Sequence, residues 1–354
     1  MEGHTDSGGL TFVLQDGVGG LQLKQGEDWY NVKPLEGMLV VNMGDQLEKL
    51  SNGRYKSILH RVMVNSKSSR LSVGAFLGPS LDAEISPIPE LVSQESPAKY
   101  RSRTYRDYMP TKLSYFDNMR QLQATAKVLS ITKDSERVAI VSDRTILYPQ
   151  GGGQPGDRGS ISSLNGDTTF QVQDTRMKNG VVYHYGVFEP SDSTFEAGQE
   201  VSLRVESQRR ELHSRLHTAG HLIDVCMKLV GRTLEPAKGN HSPEGAFVEY
   251  IGAIPSGEIE STRVALQKEI DRLIASGASV NASVLPYDEA AGLCGGSLPD
   301  YISKDSSPRI VRIGDHTGCP CGGTHVDDVS SLTGLKVTQI RVKKGVTKVS
   351  YTLK

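Results

Sequence analysis

The stretch Leu216-His217-Thr218-Ala219-Gly220-His221 sets the fold of the chain's second half. It lies inside Ser207–Val230, where Leu212, Leu216, Ala219, Leu222, Ile223 and Met227 recur at intervals of three and four. That period predicts an amphipathic helix. His217 and His221 are four apart, so both imidazoles leave one helical face, and two neutral nitrogens there can take two vertices of a tetrahedron around Zn2+. Far downstream, Cys319-Pro320-Cys321-Gly322-Gly323-Thr324-His325 offers a C-x-x-x-H clamp in Cys321 and His325. Two glycines between those residues let the backbone fold tightly enough for thiolate and imidazole to meet one ion. By spacing alone His213 pairs with His217 as well as His221 does, and Cys319 competes with Cys321. Both motifs in a chain with nine histidines and four cysteines point to a bound metal.

Outward from the helix, residues 113–205 read as strands and turns. Ala126 to Ile131 and Arg137 to Val141 are strands, and a glycine-rich loop follows at 151–159. A second helix is predicted over Glu258–Ala275, with Val264, Ile270, Leu273 and Ile274 facing inward. Leu335 to Leu353 is a β-hairpin turning at Lys343-Lys344-Gly345. Residues 1–96 are all β in pattern, with strands at Leu10 to Gln15, Met38 to Asn42, Ser57 to Val64 and Ser72 to Leu77. Between them, 97–112 is a basic linker or docking tail carrying Lys99, Arg101, Arg103, Arg106 and Lys112 with Tyr100, Tyr105 and Tyr108. The expected class is therefore α+β and multidomain. A partial jelly-roll fragment (1–96) leads to a small barrel-like β domain (113–205) and then an α+β zinc domain (206–354).

Composition narrows the function. Forty Lys+Arg against 41 Asp+Glu, a net charge of −1, exclude a wholly basic nucleic-acid coat but leave room for local basic faces. One such face is Lys336, Arg341, Lys343, Lys344, Lys348 and Lys354, and a second is Arg204, Arg209, Arg210 and Arg215. No apolar run approaches the roughly 20 residues of a membrane span. The N-terminus has no signal or transit pattern, so a cytoplasmic protein is expected, with no membrane or DNA partner.

Three ordered motifs now carry a resemblance. Thr145 to Gly159, which includes Gly151-Gly152-Gly153-Gln154-Pro155-Gly156-Asp157, the helix His217-Thr218-Ala219-Gly220-His221, and Cys321-Gly322-Gly323-Thr324-His325 resemble the freestanding alanyl-tRNA editing proteins of the AlaX type. The likeness covers about 113–354. It implies zinc held by His217, His221, Cys321 and His325, and hydrolysis of the ester joining serine or glycine to tRNA-Ala. Gln154 is then a candidate polar contact to substrate, and Thr145 a candidate reader of a serine hydroxyl. Zinc would position the substrate or its amino group beside an ordered water, or activate that water. The tRNA is expected to be held through its phosphates.

Residues 1–110 are similar to a different family, the plant-type 2-oxoglutarate/Fe(II) dioxygenases. His4-Thr5-Asp6 matches its H-x-D, His60 its distal histidine, and Arg70-Leu71-Ser72 its R-x-S. The resemblance implies Fe2+ on His4, Asp6 and His60, and 2-oxoglutarate gripped by Arg70 and Ser72. The family's N-terminal helices, first barrel strands and 2-oxoglutarate-binding tyrosine have no counterpart. An inactive or truncated oxygenase remnant is therefore expected, joined to the editing protein by gene fusion or by two neighbouring genes read as one. Two other readings stand beside the deacylase. One is an oxygenase with an editing-like appendage, the other a non-catalytic tRNA-binding zinc module.

Overall fold

From Gln123 to Val205, side chains alternate between two faces, as Ala126 and Val128 turn inward while Thr125 and Lys127 face solvent. Six antiparallel strands close this pattern into a barrel, which removes every free sheet edge. Around it run Gln123–Asp134, Arg137–Ser142, Val181–Glu189, Thr169–Lys178, Gly159–Ser163 and Glu200–Val205, the last pairing back onto the first. Register shifts at Val128/Ser130 and Val172/Asp174 supply the local bends that closure demands. The interior is dry and branched or aromatic: Val128, Ile140, Ile161, Phe170, Val201 and Leu203. The computed structural model describes residues 3–63, 67–80, 83–108, 110–134, 137–178 and 180–353. The chain divides into two compact units, Met1–Met109 and Pro110–Lys354.

After the barrel comes the helix Ser207–Leu229, whose Leu216, Leu222, Ile223 and Cys226 are fully buried. They share a core with Leu266 and Ile270 of the helix Ile259–Ser276 and with Val248, Val337 and Val349 of a four-stranded sheet. That sheet runs Glu235–Asn240, Ala246–Ile251, Val346–Leu353, Leu335–Lys343. The second helix keeps its expected place, but Val264 is 53% exposed and Thr262 and Leu266 turn inward instead. A small sheet, Val280–Val284, Arg309–Ile313 and Cys319–Pro320, delivers the cysteine motif. A short helix, Tyr287–Leu293, went unread in the sequence.

The first unit pairs two three-stranded antiparallel sheets. One is Leu39–Met43, Leu10–Gln15, Ser72–Leu77, and the other Asp28–Asn31, Leu21–Gln25, His60–Val62. The hairpin Leu21–Gln25/Asp28–Asn31 and the helix Asp45–Leu50 are additions to the sequence reading. Most of the expected linker folds onto this unit, while its last residue, Lys112, pairs with Arg144 in the second. Arg103–Thr104 pairs with Glu84–Ile85, the Lys99 amide donates to Asn52 Oδ1 (2.8 Å), and the Tyr100 hydroxyl donates to Glu48 Oε1 (2.7 Å). Of the basic residues named there, the Arg106 side chain lies outside what is described.

Candidate functional site

The Ser207–Leu229 helix brings His217 and His221 to one face, and the loop after Cys319–Pro320 brings Cys321 and His325 to meet them. One donor atom from each of the four lies within 4.8 Å of the others. His217 Nε2 and His325 Nε2 are each 3.4 Å from Cys321 Sγ. Gly323 is what lets the loop come so close, because a Cβ there would stand 2.2 Å from His217 Cε1.

Each imidazole turns Nε2 inward and anchors Nδ1 outside. His217 Nδ1 lies 2.8 Å from Gln154 Oε1, His325 Nδ1 3.2 Å from Thr218 Oγ1, and His221 Nδ1 3.0 Å from Cys319 Sγ. Gln154 Oε1 accepts only, and Thr218 Oγ1 already donates to the Ser214 carbonyl, so His217 and His325 carry their protons on Nδ1 and keep a free lone pair on Nε2, which is how outer partners prepare metal-binding histidines. His221 Nε2 is buried with no protein partner at all. Burial, then the neighbouring imidazoles and Arg309, hold His217 well below the usual histidine range; burial and Arg309 bring His221 down to about 4. The rings are therefore neutral at pH 7. Burial raises the Cys321 thiol, opposed by the Gly323 N–H, 3.3 Å away, and by the Arg309 charge. Three neutral imidazoles and one thiol form a donor set that suits zinc in tetrahedral geometry.

The remaining expectations divide. Gln154 is fully buried: its Oε1 also accepts from the Thr324 amide (3.0 Å), and its Nε2 donates to Thr324 Oγ1 (2.9 Å). Its Oε1 and one Nε2 N–H are thus engaged inside the protein, where it positions His217. Thr145 is also fully buried, its hydroxyl 2.8 Å from His184 Nε2 and accepting from the Leu147 amide at 3.0 Å. This corrects the expectation of a serine reader, because both hydroxyl functions are spent in the barrel core. His213 is buried apart from the four donors, its Nδ1 unpartnered. Cys319 is the outer partner of His221.

Three of the donors, His217, His221 and Cys321, line a cavity of about 560 Å3, together with Gly152, Asp224, His241, Tyr301 and Arg309. Four of these, Asp224, His241, Tyr301 and Arg309, carry no mark in the sequence motifs. His241 stacks on His217 at 4.4 Å between ring centroids, its Nδ1 2.6 Å from Tyr351 Oη, while that hydroxyl donates to the Leu216 carbonyl at 3.0 Å. Gly220 makes this stack possible, since a Cβ would fall 2.4 Å from His241 Cε1. Arg309 donates to the Cys321 and Gly323 carbonyls at 2.7 and 3.0 Å and so shapes the thiolate loop. Behind the site, Arg210 forms a buried ion pair with Asp157 and donates to the Met119 carbonyl, which pins the metal helix to the barrel. Arg215 caps the Ser331 and Thr333 carbonyls. Arg210, 3% exposed, is spent inside the protein. Lys336, Arg341 and Lys343, by contrast, project from the exposed face of their strand.

In the first unit, His4, Asp6 and His60 also converge within 4.8 Å. His60 Nε2 is 3.6 Å from Asp6 Oδ1, and His60 Nδ1 is 3.1 Å from the Ile58 carbonyl oxygen. Asp6 Oδ2 is buried without a protein partner, and a carboxylate oxygen so placed suits a cation ligand. Arg70 donates to Ser72 Oγ at 2.9 Å and to Gln15 Oε1 at 3.2 Å, leaving Nε buried and unpartnered. Among the described residues no helix is long and apolar enough to cross a membrane.

Residues 1–79 match the family model of the 2OG-Fe(II) oxygenase superfamily, and residues 86–209 that of the tRNA synthetases class II (A). The chain thus joins an oxygenase-type segment to a tRNA-synthetase-type segment. Over 110 residues it is 48% identical to 1-aminocyclopropane-1-carboxylate oxidase 3 of Arabidopsis thaliana, covering 31% of this chain and 34% of that one. A flavonol synthase/flavanone 3-hydroxylase of Eustoma exaltatum subsp. russellianum is 43% identical over 111 residues, 31% of this chain and 33% of its own. The chain spans about a third of the length of these curated relatives. A solved rice dioxygenase for auxin oxidation is 40% identical over 30% of this chain and 37% of its own, with a TM-score of 0.29. Iron and 2-oxoglutarate are the groups that the N-terminal similarity supports.

Proposed function

We propose that the Pro110–Lys354 unit is a zinc-dependent hydrolase that removes serine or glycine from mischarged tRNA-Ala. The observation that carries this is the convergence of His217, His221, Cys321 and His325, the first three of which line a cavity wide enough for an aminoacyl ester. Bound zinc would supply positive charge to orient the ester and an ordered water. The chain's own residues do the rest. Gln154 and Thr218 hold the His217 and His325 imidazoles in one tautomer, and Cys319 anchors His221. Arg309 fixes the Cys321 loop, and Tyr351 holds Nδ1 of His241 so that its Nε2 keeps a lone pair beside the donors. The exposed Lys336, Arg341 and Lys343 supply charge for phosphates of the acceptor stem.

The deciding assay is serine release from Ser-tRNA-Ala, with Ala-tRNA-Ala as control. The parent chain should hydrolyse the first and spare the second. Cys321→Ala should lose both zinc and hydrolysis, and a variant as fast as the parent would overturn the assignment. For the first unit, the His4, Asp6 and His60 cluster favours Fe(II) binding. We expect iron uptake without turnover, and iron-dependent succinate release from 2-oxoglutarate would overturn that.

A further inference from the structure

The cavity wall holds one carboxylate that the donor set leaves unused. Asp224 follows His221 by three positions on the same helix, so it leaves the same face about one turn further on. It lines the donor cavity and also an adjoining one of about 380 Å3, which shares His221, Pro236 and Cys319. The Tyr250 hydroxyl donates to Asp224 Oδ1 at 2.5 Å, fixing the carboxylate plane. Lys228 is close enough to be felt but forms no ion pair with it. Burial raises the carboxyl to about 6 in spite of Tyr250 and Lys228. A desolvated carboxylate without a cation is costly, and a cationic ligand entering the cavity would relieve that cost.

We propose that Asp224 binds the α-ammonium group of the amino acid carried into the cavity. This rests on reading the unit as an aminoacyl-ester hydrolase and names how it holds its substrate. Every free aminoacyl ester carries a cation one carbon away from its carbonyl. With the ammonium on Asp224, one helical turn from His221, the ester carbonyl comes to lie toward the four donors. Tyr250 occupies one carboxylate oxygen and the other accepts from the ligand. The same contact selects against N-acylated esters, so peptidyl-tRNA would be spared.

The test uses the full chain and two stable probes, 3′-deoxy-3′-(L-serylamino)adenosine and its N-acetyl derivative, with binding measured by calorimetry. The parent should prefer the free amine by about 10- to 100-fold, the range of a charge-assisted hydrogen bond. Asp224→Asn keeps the acceptor for Tyr250 and should abolish the preference. In hydrolysis it should raise KM for Ser-tRNA-Ala by a similar factor and change kcat less. Equal binding of the two probes by the parent, or an undiminished preference in Asp224→Asn, would overturn the proposal. If Asp224→Asn does not fold, Asp224→Glu stands in, since moving the charge by one methylene should cut the preference several-fold, and no change would be fatal. A parent that prefers the amine yet releases no serine would sink the hydrolase reading and leave Asp224 as an ammonium site.

Discussion

The two donor clusters show how differently one kind of chemistry can be supported. His217, His221, Cys321 and His325 stand on elements that share a large apolar core, with an outer partner behind every imidazole. His4, Asp6 and His60 sit where most buried side chains are polar: Asn42, Gln46, Ser51 and Asn52 against Leu21, Ile85 and Tyr105. Every side chain of the Ser72–Leu77 strand is exposed, and Leu39, Val41 and Phe76 face solvent. Among the described residues, all of the apolar clusters lie beyond residue 120. A spacing motif brings donors together; a packed core and outer partners hold them within the tolerance that catalysis demands.

The contrast can be broken most severely at Asp157. Asp157→Ala strands the Arg210 guanidinium inside the protein, and should cost the C-terminal unit about 3–5 kcal/mol in urea unfolding. A loss under about 1 kcal/mol would mean that the pin between barrel and helix is redundant. Next comes a matched pair of truncations. Leu222→Ala, at a fully buried position, should cost about 2–5 kcal/mol, while Phe76→Ala, 72% exposed, should stay within about 0.5 kcal/mol. Equal costs would erase the distinction drawn between the units.

Acid should find the barrel through His184. Burial lowers this ring to about 4 in the folded state, against 6.5 as its ordinary value. The unfolded chain therefore binds the extra proton first, and stability present above pH 6.5 is lost as pH falls toward 4, by about 3 kcal/mol in all. A pH series of thermal unfolding checks the slope, and His184→Gln should flatten it. A smaller loss than that of the core truncation is expected at Gln154. Removing the Nδ1 acceptor of His217 with Gln154→Ala should weaken zinc about 10- to 100-fold, measured by competition with a chelator. Unchanged zinc affinity would show that Gln154 does not position the ring.

What could be read from sequence was local. The period of three and four over Ser207–Val230 gave a helix that ends one residue earlier, at Leu229, while spacing left His213 and Cys319 as competitors and the resemblance chose the four that converge. The strand alternation of 113–205 foretold a barrel-like domain, though not its strand order, which depends on pairings such as Gln123 with Arg204. Short elements escaped: Tyr287–Leu293 is too brief for a period to show, and only Asp288 and Glu289 in its first turn mark it. Val264 deceived because an apolar residue on a helix need not face the core. Gln154 and Thr145 were assigned to substrate because nothing in their motif reveals what stands across from them. His241 and Arg309 arrive from distant strands without any spacing cue. Arg210 and Asp224 did leave a trace, as both fall on the row that runs through His217 and His221.

The Tyr351 hydroxyl joins His241 to the Leu216 carbonyl, 135 positions earlier. During synthesis the helix emerges long before the strand that props it, and Cys321 and His325 emerge between the two. The stack of His241 on His217 is thus complete only once the Val346–Leu353 strand has folded against the helix.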